Sequence, residues 1–160
     1  MDRIAQTDMF GPSLNDAKAR LMQDALVGTN CPCCKKFVKV YHRKFNSGMA
    51  MTMIYTYPWF RSHPLEWLNI LNWCAKTHGY VAGEIGKLIW WGMLEKNDAG
   101  RYRMTADGFT FVQGRLRVRS HVNEYMSAVQ SFDGDSIDIR AALGRKFNYR
   151  ELMQKAGIWS

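Results

Sequence analysis

Trp91-Gly92-Met93-Leu94-Glu95-Lys96-Asn97-Asp98-Ala99-Gly100-Arg101-Tyr102-Arg103-Met104-Thr105-Ala106-Asp107-Gly108 is the stretch whose reading decides the fold. Met93-Leu94-Glu95-Lys96 and Arg101-Tyr102-Arg103-Met104 flank the polar tetrapeptide Asn97-Asp98-Ala99-Gly100, and two short runs about such a turn predict a β-hairpin. Gly92 stands where a preceding helix needs a left-handed cap. Thr105 opens a further short helix containing Phe109 and Phe111 and ending at Gly114, because its hydroxyl can accept a hydrogen bond from the first turn.

Working upstream, Val81, Ile85, Leu88 and Ile89 predict a helix from about Tyr80 to Trp91. Before it, Pro64 suits a first helical position, and Trp67, Ile70, Leu71 and Cys74 form an i, i+3, i+4, i+7 stripe that ends at His78-Gly79. Ser47 is read as the N-cap of a helix from Gly48 to about Tyr57, with Pro58 stopping it. Ser13 opens a first helix reaching about Leu26, with Leu14, Ala17, Leu21 and Ala25 along one stripe, and Phe37-Val38-Lys39-Val40-Tyr41 has strand propensity. Downstream, Arg115, Arg117 and Arg119 alternate on a strand, Ser131-Phe132-Asp133-Gly134-Asp135 reads as a surface turn, and Phe147, Tyr149, Leu152, Met153 and Trp159 let a last helix dock on the core or on another subunit of a homodimer.

With 160 residues, 47% of them hydrophobic, the chain has the length for one domain with appendages rather than two independent cores. The net charge of +8 makes polyanions natural partners, and its distribution is uneven. From Ala25 to Leu65 there is no acid, while Lys35, Lys36, Lys39, Arg43, Lys44 and Arg61 are basic. A solvated surface that favours solubility is the plainer explanation of such a run. The N-terminal residues lack the apolar run of a secretory signal, and no segment has the length of apolar sequence a membrane span needs, so the expected setting is cytoplasmic with no membrane contact.

Three of the four cysteines crowd into Cys31-Pro32-Cys33-Cys34. Cys31 and Cys34 have the Cys-x-x-Cys spacing with which a knuckle offers two thiolates to tetrahedral zinc, and such a site requires two further ligands. Cys74 and His78, four apart on a helix, are candidates; His42, His63 and Cys33 are alternatives. A buried free cysteine is the competing explanation for Cys74. The acids Asp133, Asp135 and Asp138 have a calcium-loop-like spacing without the downstream Glu. No P-loop, dinucleotide-binding glycine pattern, HExxH or nucleophile elbow is present, and the cysteine spacing does not suit a zinc deaminase, so the chain is read as a non-enzyme.

Helix, glycine, strand, polar loop, strand, threonine cap and helix is the order of winged-helix domains, and Trp91-Gly92-Met93-Leu94 followed by Tyr102 to Gly108 resembles the W-G-L-I … Y-x-L-T-x-x-G run common there. The resemblance implies an α+β fold with a winged helix-turn-helix core at 46–114, an N-terminal helix and cysteine knuckle at 1–45, and a C-terminal strand and helix appendage at 115–160 packed on the same core. Cys31-Pro32-Cys33-Cys34, the stretch from Tyr41 to Asn46, Ser47-Gly48-Met49-Ala50, the run from Trp91 to Leu94 and the run from Ala142 to Tyr149 resemble a group of small bacteriophage and prophage proteins of unassigned function. That similarity implies a viral accessory protein acting in a bacterial host cell.

In winged-helix domains the third helix enters the major groove and the wing meets the DNA backbone. Here that helix carries only Glu84 and Lys87 as charges, so beside Lys87 the DNA contacts are expected mainly from Lys96, Arg101 and Arg103 at the wing, from Arg115, Arg117 and Arg119, and from Lys35, Lys36, Lys39, Arg43 and Lys44. The row at 115–119 has a competing explanation as an exposed edge strand whose charges oppose aggregation. The expected function is that of a non-enzymatic DNA-binding regulator. The alternative is capture of a host protein through Trp59, Trp90, Met93 and Trp159, since large aromatics anchor interfaces. Single-stranded RNA binding by aromatics set among the basic residues is a third reading.

Overall fold

The computed structural model describes residues 11–79 and 83–160, and they form an α+β fold of six α-helices and small antiparallel sheets. Among the described residues no helix is long and apolar enough to cross a membrane. Helix α1 (Leu14–Asp24) begins on Ser13, whose hydroxyl accepts a hydrogen bond from the Asp16 amide. Strands β1 (Thr29–Asn30) and β2 (Phe37–Val38) pair around the cysteine knuckle, and β3 (Tyr41–Lys44) follows.

Helix α2 (Ser47–Ser62) is the hub of the fold. It packs against α3 (Ile70–His78), α4 (Ala106–Val112), α5 (Ile139–Leu143) and α6 (Tyr149–Lys155). Met49, Ala50, Met53, Ile54 and Phe60 are completely buried. Two threonines share that burial without cost in unpaired hydroxyls, because Thr52 Oγ1 donates to the Gly48 carbonyl (2.9 Å) and Thr56 Oγ1 to the Thr52 carbonyl (2.8 Å). The cap is Asn46, whose side chain accepts from the Met49 amide, and not Ser47. Nor does Pro58 stop the helix: the chain remains helical through Ser62. An interior proline costs about 3 kcal/mol, which burial of Phe60, worth about 1.5–3 kcal/mol, offsets together with the packing of Trp59 on the core.

Helix α3 starts at Ile70, not at Pro64. Leu68 is taken by a two-hydrogen-bond bridge with Tyr102 (2.8 and 2.9 Å), which forces the chain extended there and leaves Asn69 to cap the helix on the Asn72 amide. Trp67 is therefore off the helix, with the Arg103 guanidinium 4.6 Å over its ring, and Leu71 is half exposed; only Ile70 and Cys74 of the expected stripe are buried in α3. Part of the helix expected from Tyr80 lies outside the described residues, and in the remainder only a 3-10 turn, Ile85–Ile89, forms. Gly83 and Gly86 weaken an α-helix here, and the buried pair Ile85 and Leu88, three apart, suits a helix of three residues per turn.

The hairpin of β4 (Leu94–Lys96) and β5 (Tyr102–Met104) forms as expected, in the register Leu94 to Met104. Gly92 is left-handed (φ +72°). Thr105 caps α4 through the Gly108 amide (3.0 Å), and its hydroxyl also donates to the Gly92 carbonyl (2.5 Å), tying helix to hairpin. Gly108 is required there, because a Cβ would strike the Met93 carbonyl.

Strands β6 (Val118–Tyr125) and β7 (Ala128–Ile137) complete a sheet of order β3-β6-β7. Segments separated by over seventy residues thus share one sheet. The 131–135 segment is strand and not a surface turn, because β6 supplies it with a pairing partner: Ser131 lies opposite Asn123 and Asp133 opposite His121. Strand β6 is likewise no edge, being paired on both sides, and only Arg119 of the basic row lies within it. The C-terminal helix docks on the core through buried Tyr149, Leu152 and Met153, with the Tyr149 hydroxyl donating to the Val112 carbonyl (2.6 Å).

Candidate functional site

The outer face of the β3-β6-β7 sheet is polar by alternation. Ser120, Val122 and Glu124 of β6 point into the protein, so Arg119, His121, Asn123 and Tyr125 point out. On the neighbouring strands His42 lies opposite Asn123, and Asp133 opposite His121. The register thereby gathers His42, His121 and Asp133, whose potential ligand atoms lie within 4.8 Å of one another. His42 Nε2 is 2.7 Å from Asp133 Oδ1, and the two imidazoles stack at 4.4 Å and 11°. The hydrogen bond from His42, then that from Asn123 Nδ2 (2.8 Å to Oδ2), hold the Asp133 carboxyl below its usual range. Ser120 Oγ meets His121 Nδ1 at 2.8 Å.

Beside this group a cleft of about 580 Å³ is lined by Lys44 of β3, by Asn46 and Ser47 at the start of α2, by Ser120 and His121, and by Arg145 and Lys146 between α5 and α6. Asp135 is the one carboxylate in its lining, and none of the three cations forms an ion pair among the described residues. Sequence reasoning singled out Lys44 and passed over Arg145 and Lys146. They sit a hundred residues away in a short polar linker, and only the docking of α5 against α2 brings them near.

The other sequence-predicted cations divide by their partners. Lys87 pairs with Glu84, Arg103 with Glu95 (2.7 Å), Arg43 with buried Glu124 (3.6 Å), and Arg117 with Asp138 (3.9 Å). The bond from Lys87 lowers the Glu84 pKa. Arg43 also lies 4.6 Å over the Tyr41 ring. Arg117 and Arg119 reach over β7 to the carbonyls of Ser136 (2.5 Å) and Gly134 (2.9 Å), and Arg115 bonds the Gln113 side chain, so the three do not stand as a free row. Lys35 donates to the Pro32 carbonyl, and Lys39 and Lys96 lie 5.9 Å over Tyr41 and Tyr102. Lys36 and Arg101 carry no carboxylate partner among the described residues.

The knuckle folds as a tight turn at the tip of the β1–β2 hairpin: the Cys31 amide donates to the Lys36 carbonyl (2.8 Å), the Lys35 amide donates to the Cys31 carbonyl (2.9 Å), and Lys35 is left-handed. Backbone amides of Cys34 and Cys33 donate to the Cys31 sulfur and lower its pKa. Such amide-to-sulfur bonds favour a thiolate. The structure does not bring the suggested further ligands here. Cys74 is fully buried in α3, where burial pushes its thiol up to about 11. His78 stacks on Tyr55 (4.5 Å) and is lowered by burial, and His63 stacks on Trp59 (4.6 Å). Among the described residues, no third histidine, cysteine or carboxylate joins Cys31 and Cys34, whereas His42, named as an alternative, joins a different group. The proposed aromatic and methionine surface is not continuous either, since Met93 is buried.

None of the protein families, curated proteins or solved structures compared with this chain matches it.

Proposed function

We propose that this chain is a non-enzymatic nucleic-acid-binding protein that grips the phosphate backbone of duplex DNA, with residues 46–114 arranged as a winged helix. The winged-helix reading is supported by the succession of α2, the Leu68–Tyr102 bridge, α3, a helical turn and the β4–β5 hairpin. The observation that carries the function is the cleft in which Lys44, Arg145 and Lys146 converge with no carboxylate partner among the described residues. Basic side chains set in a concave surface suit phosphate oxygens, which position a protein on DNA without reading its sequence. Lys96 and Arg101 on the β4–β5 hairpin would add a second backbone contact. Base reading is not assigned to the Ile85–Ile89 turn, which is too short to fill a major groove and whose Lys87 is occupied by Glu84. The bacteriophage resemblance of the sequence makes a viral regulator in the bacterial cytoplasm the setting in which this reading places it.

Fluorescence anisotropy with a duplex oligonucleotide across a salt series tests the reading. Affinity should fall steeply with salt, and the log–log slope should flatten by about 0.9 for each phosphate-contacting cation removed. Lys44→Ala, Arg145→Ala and Lys146→Ala combined should flatten it most, and Arg103→Ala, whose charge is already neutralised, least. No duplex binding at low salt would end the proposal.

One observation favours a second reading, a host-protein-binding module. Met22 in the last turn of α1 and Leu26 just after it are 75% and 67% exposed and line an apolar cleft of about 260 Å³. A partner retained from nuclease-treated bacterial lysate and lost with Met22→Lys would support this over DNA binding.

A further inference from the structure

We propose that His42, His121 and Asp133 form a mononuclear site for a divalent transition-metal ion of the zinc type, separate from the cysteine knuckle. Two imidazoles and one carboxylate are the donor set that borderline divalent ions accept, and three protein ligands leave a fourth position for water or another oxygen. The three side chains come from three adjacent strands, with their ligand atoms already within 4.8 Å of one another.

The surroundings are those of a built site. A metal-binding histidine ordinarily hands its other nitrogen to a fixed partner, and a metal-binding carboxylate is itself hydrogen-bonded. Ser120 Oγ occupies His121 Nδ1 at 2.8 Å, which leaves Nε2 as the free ligand. Asn123 Nδ2 occupies Asp133 Oδ2 at 2.8 Å, while Oδ1 takes the His42 Nε2 hydrogen bond (2.7 Å) that a bound ion would replace. Asn123 is held in turn by Ser131 Oγ (3.0 Å). The backbone makes room for this arrangement at Gly134, which is left-handed (φ +78°) and lies so close that a Cβ would collide with Ser120 Oγ and His121 Nδ1. A register shift between Arg119 and His121 accompanies it. An irregularity that re-aims a side chain is a recurrent device at functional sites in sheets.

His42 and Asp133 are each about half exposed, so an ion here would keep an open, solvent-facing position. His121 also lines the basic cleft, and a bound dication would add positive charge at its rim.

The test is titration of Co²⁺ and Zn²⁺ into chelator-treated protein carrying Cys31→Ser, Cys33→Ser and Cys34→Ser, so that the knuckle cannot contribute. One equivalent should bind, with visible cobalt bands but no thiolate charge-transfer band. His121→Ala or Asp133→Asn should abolish binding, and the exposed, isosteric Asp133→Asn keeps the test valid should His121→Ala disturb folding. Asn123→Ala, which frees the carboxylate, should weaken binding by about 10- to 100-fold. Absence of binding in the knuckle-free background, or binding unchanged by Asp133→Asn in a protein with native circular dichroism, would overturn the proposal. Because the probe is the metal alone, either result leaves the DNA reading standing or falling on its own experiment.

Discussion

The Cys31–Cys34 knuckle and the His42–His121–Asp133 group differ in how much of the chain each needs. The knuckle is made by four consecutive residues at the tip of a hairpin with two-residue strands, its sulfur environment supplied by its own amides. The histidine and aspartate group needs three strands in register, with His42 and Asp133 ninety-one positions apart. The first announces itself in sequence by spacing yet gathers no three-ligand group among the described residues; the second has no sequence signature yet brings three together. A short motif can fix the geometry of one turn, but completing a coordination shell takes long-range pairing.

The largest effect expected from disturbing this contrast comes from Phe45, which follows β3, donates its amide to the Ser120 carbonyl (2.8 Å) and packs on Trp91 and Phe111 (5.1 Å each). Phe45→Ala should cost about 3–5 kcal/mol in urea unfolding and scatter the imidazole resonances of His42 and His121 while the knuckle keeps its thiol reactivity. A loss under about 1 kcal/mol would mean that β3 is anchored elsewhere.

A smaller change is expected at Gly134. Alanine there would carry left-handed backbone strain on the order of 1–3 kcal/mol and press on His121. Its signature is a shift of the His121 ring signals in an NMR spectrum whose knuckle amides stay in place. Coincident shifts at both sites would show that they are coupled, contrary to the separation drawn here.

The smallest effect leaves stability untouched and separates the cysteines by reactivity. The thiolate is the nucleophile, so a lowered pKa brings reactivity in at lower pH and a raised one delays it. Alkylation near neutral pH followed by mass mapping should label Cys31 first, while Cys74, pushed up to about 11 and buried, stays unmodified in the native protein. Labelling of Cys74 at the rate of Cys31 would contradict its placement in α3.

Much of the local structure was legible because its determinants lie within a few residues. Gly92, the Asn97 to Gly100 loop and Thr105 each act on their own turn, and hairpin and cap appear where those residues stand. Two of the boundaries that differ were decided at a distance. Pro58 stays helical because Phe60 has a core to enter, and α3 starts late because Leu68 pairs with Tyr102. Local propensities differ by about 1 kcal/mol or less for most residues, and one buried side chain or bridge outweighs them.

The sequence by itself determined the hairpin with its glycine and threonine caps, the cysteine knuckle and the surplus of basic residues, since each is a property of neighbouring residues or of composition. Only the tertiary structure decided which charges were already neutralised, that Lys44 meets Arg145 and Lys146, and that His42, His121 and Asp133 share one face. Strand register and helix docking join residues whose separation along the chain carries no periodic signal, so their meeting is set by packing and not by any local pattern.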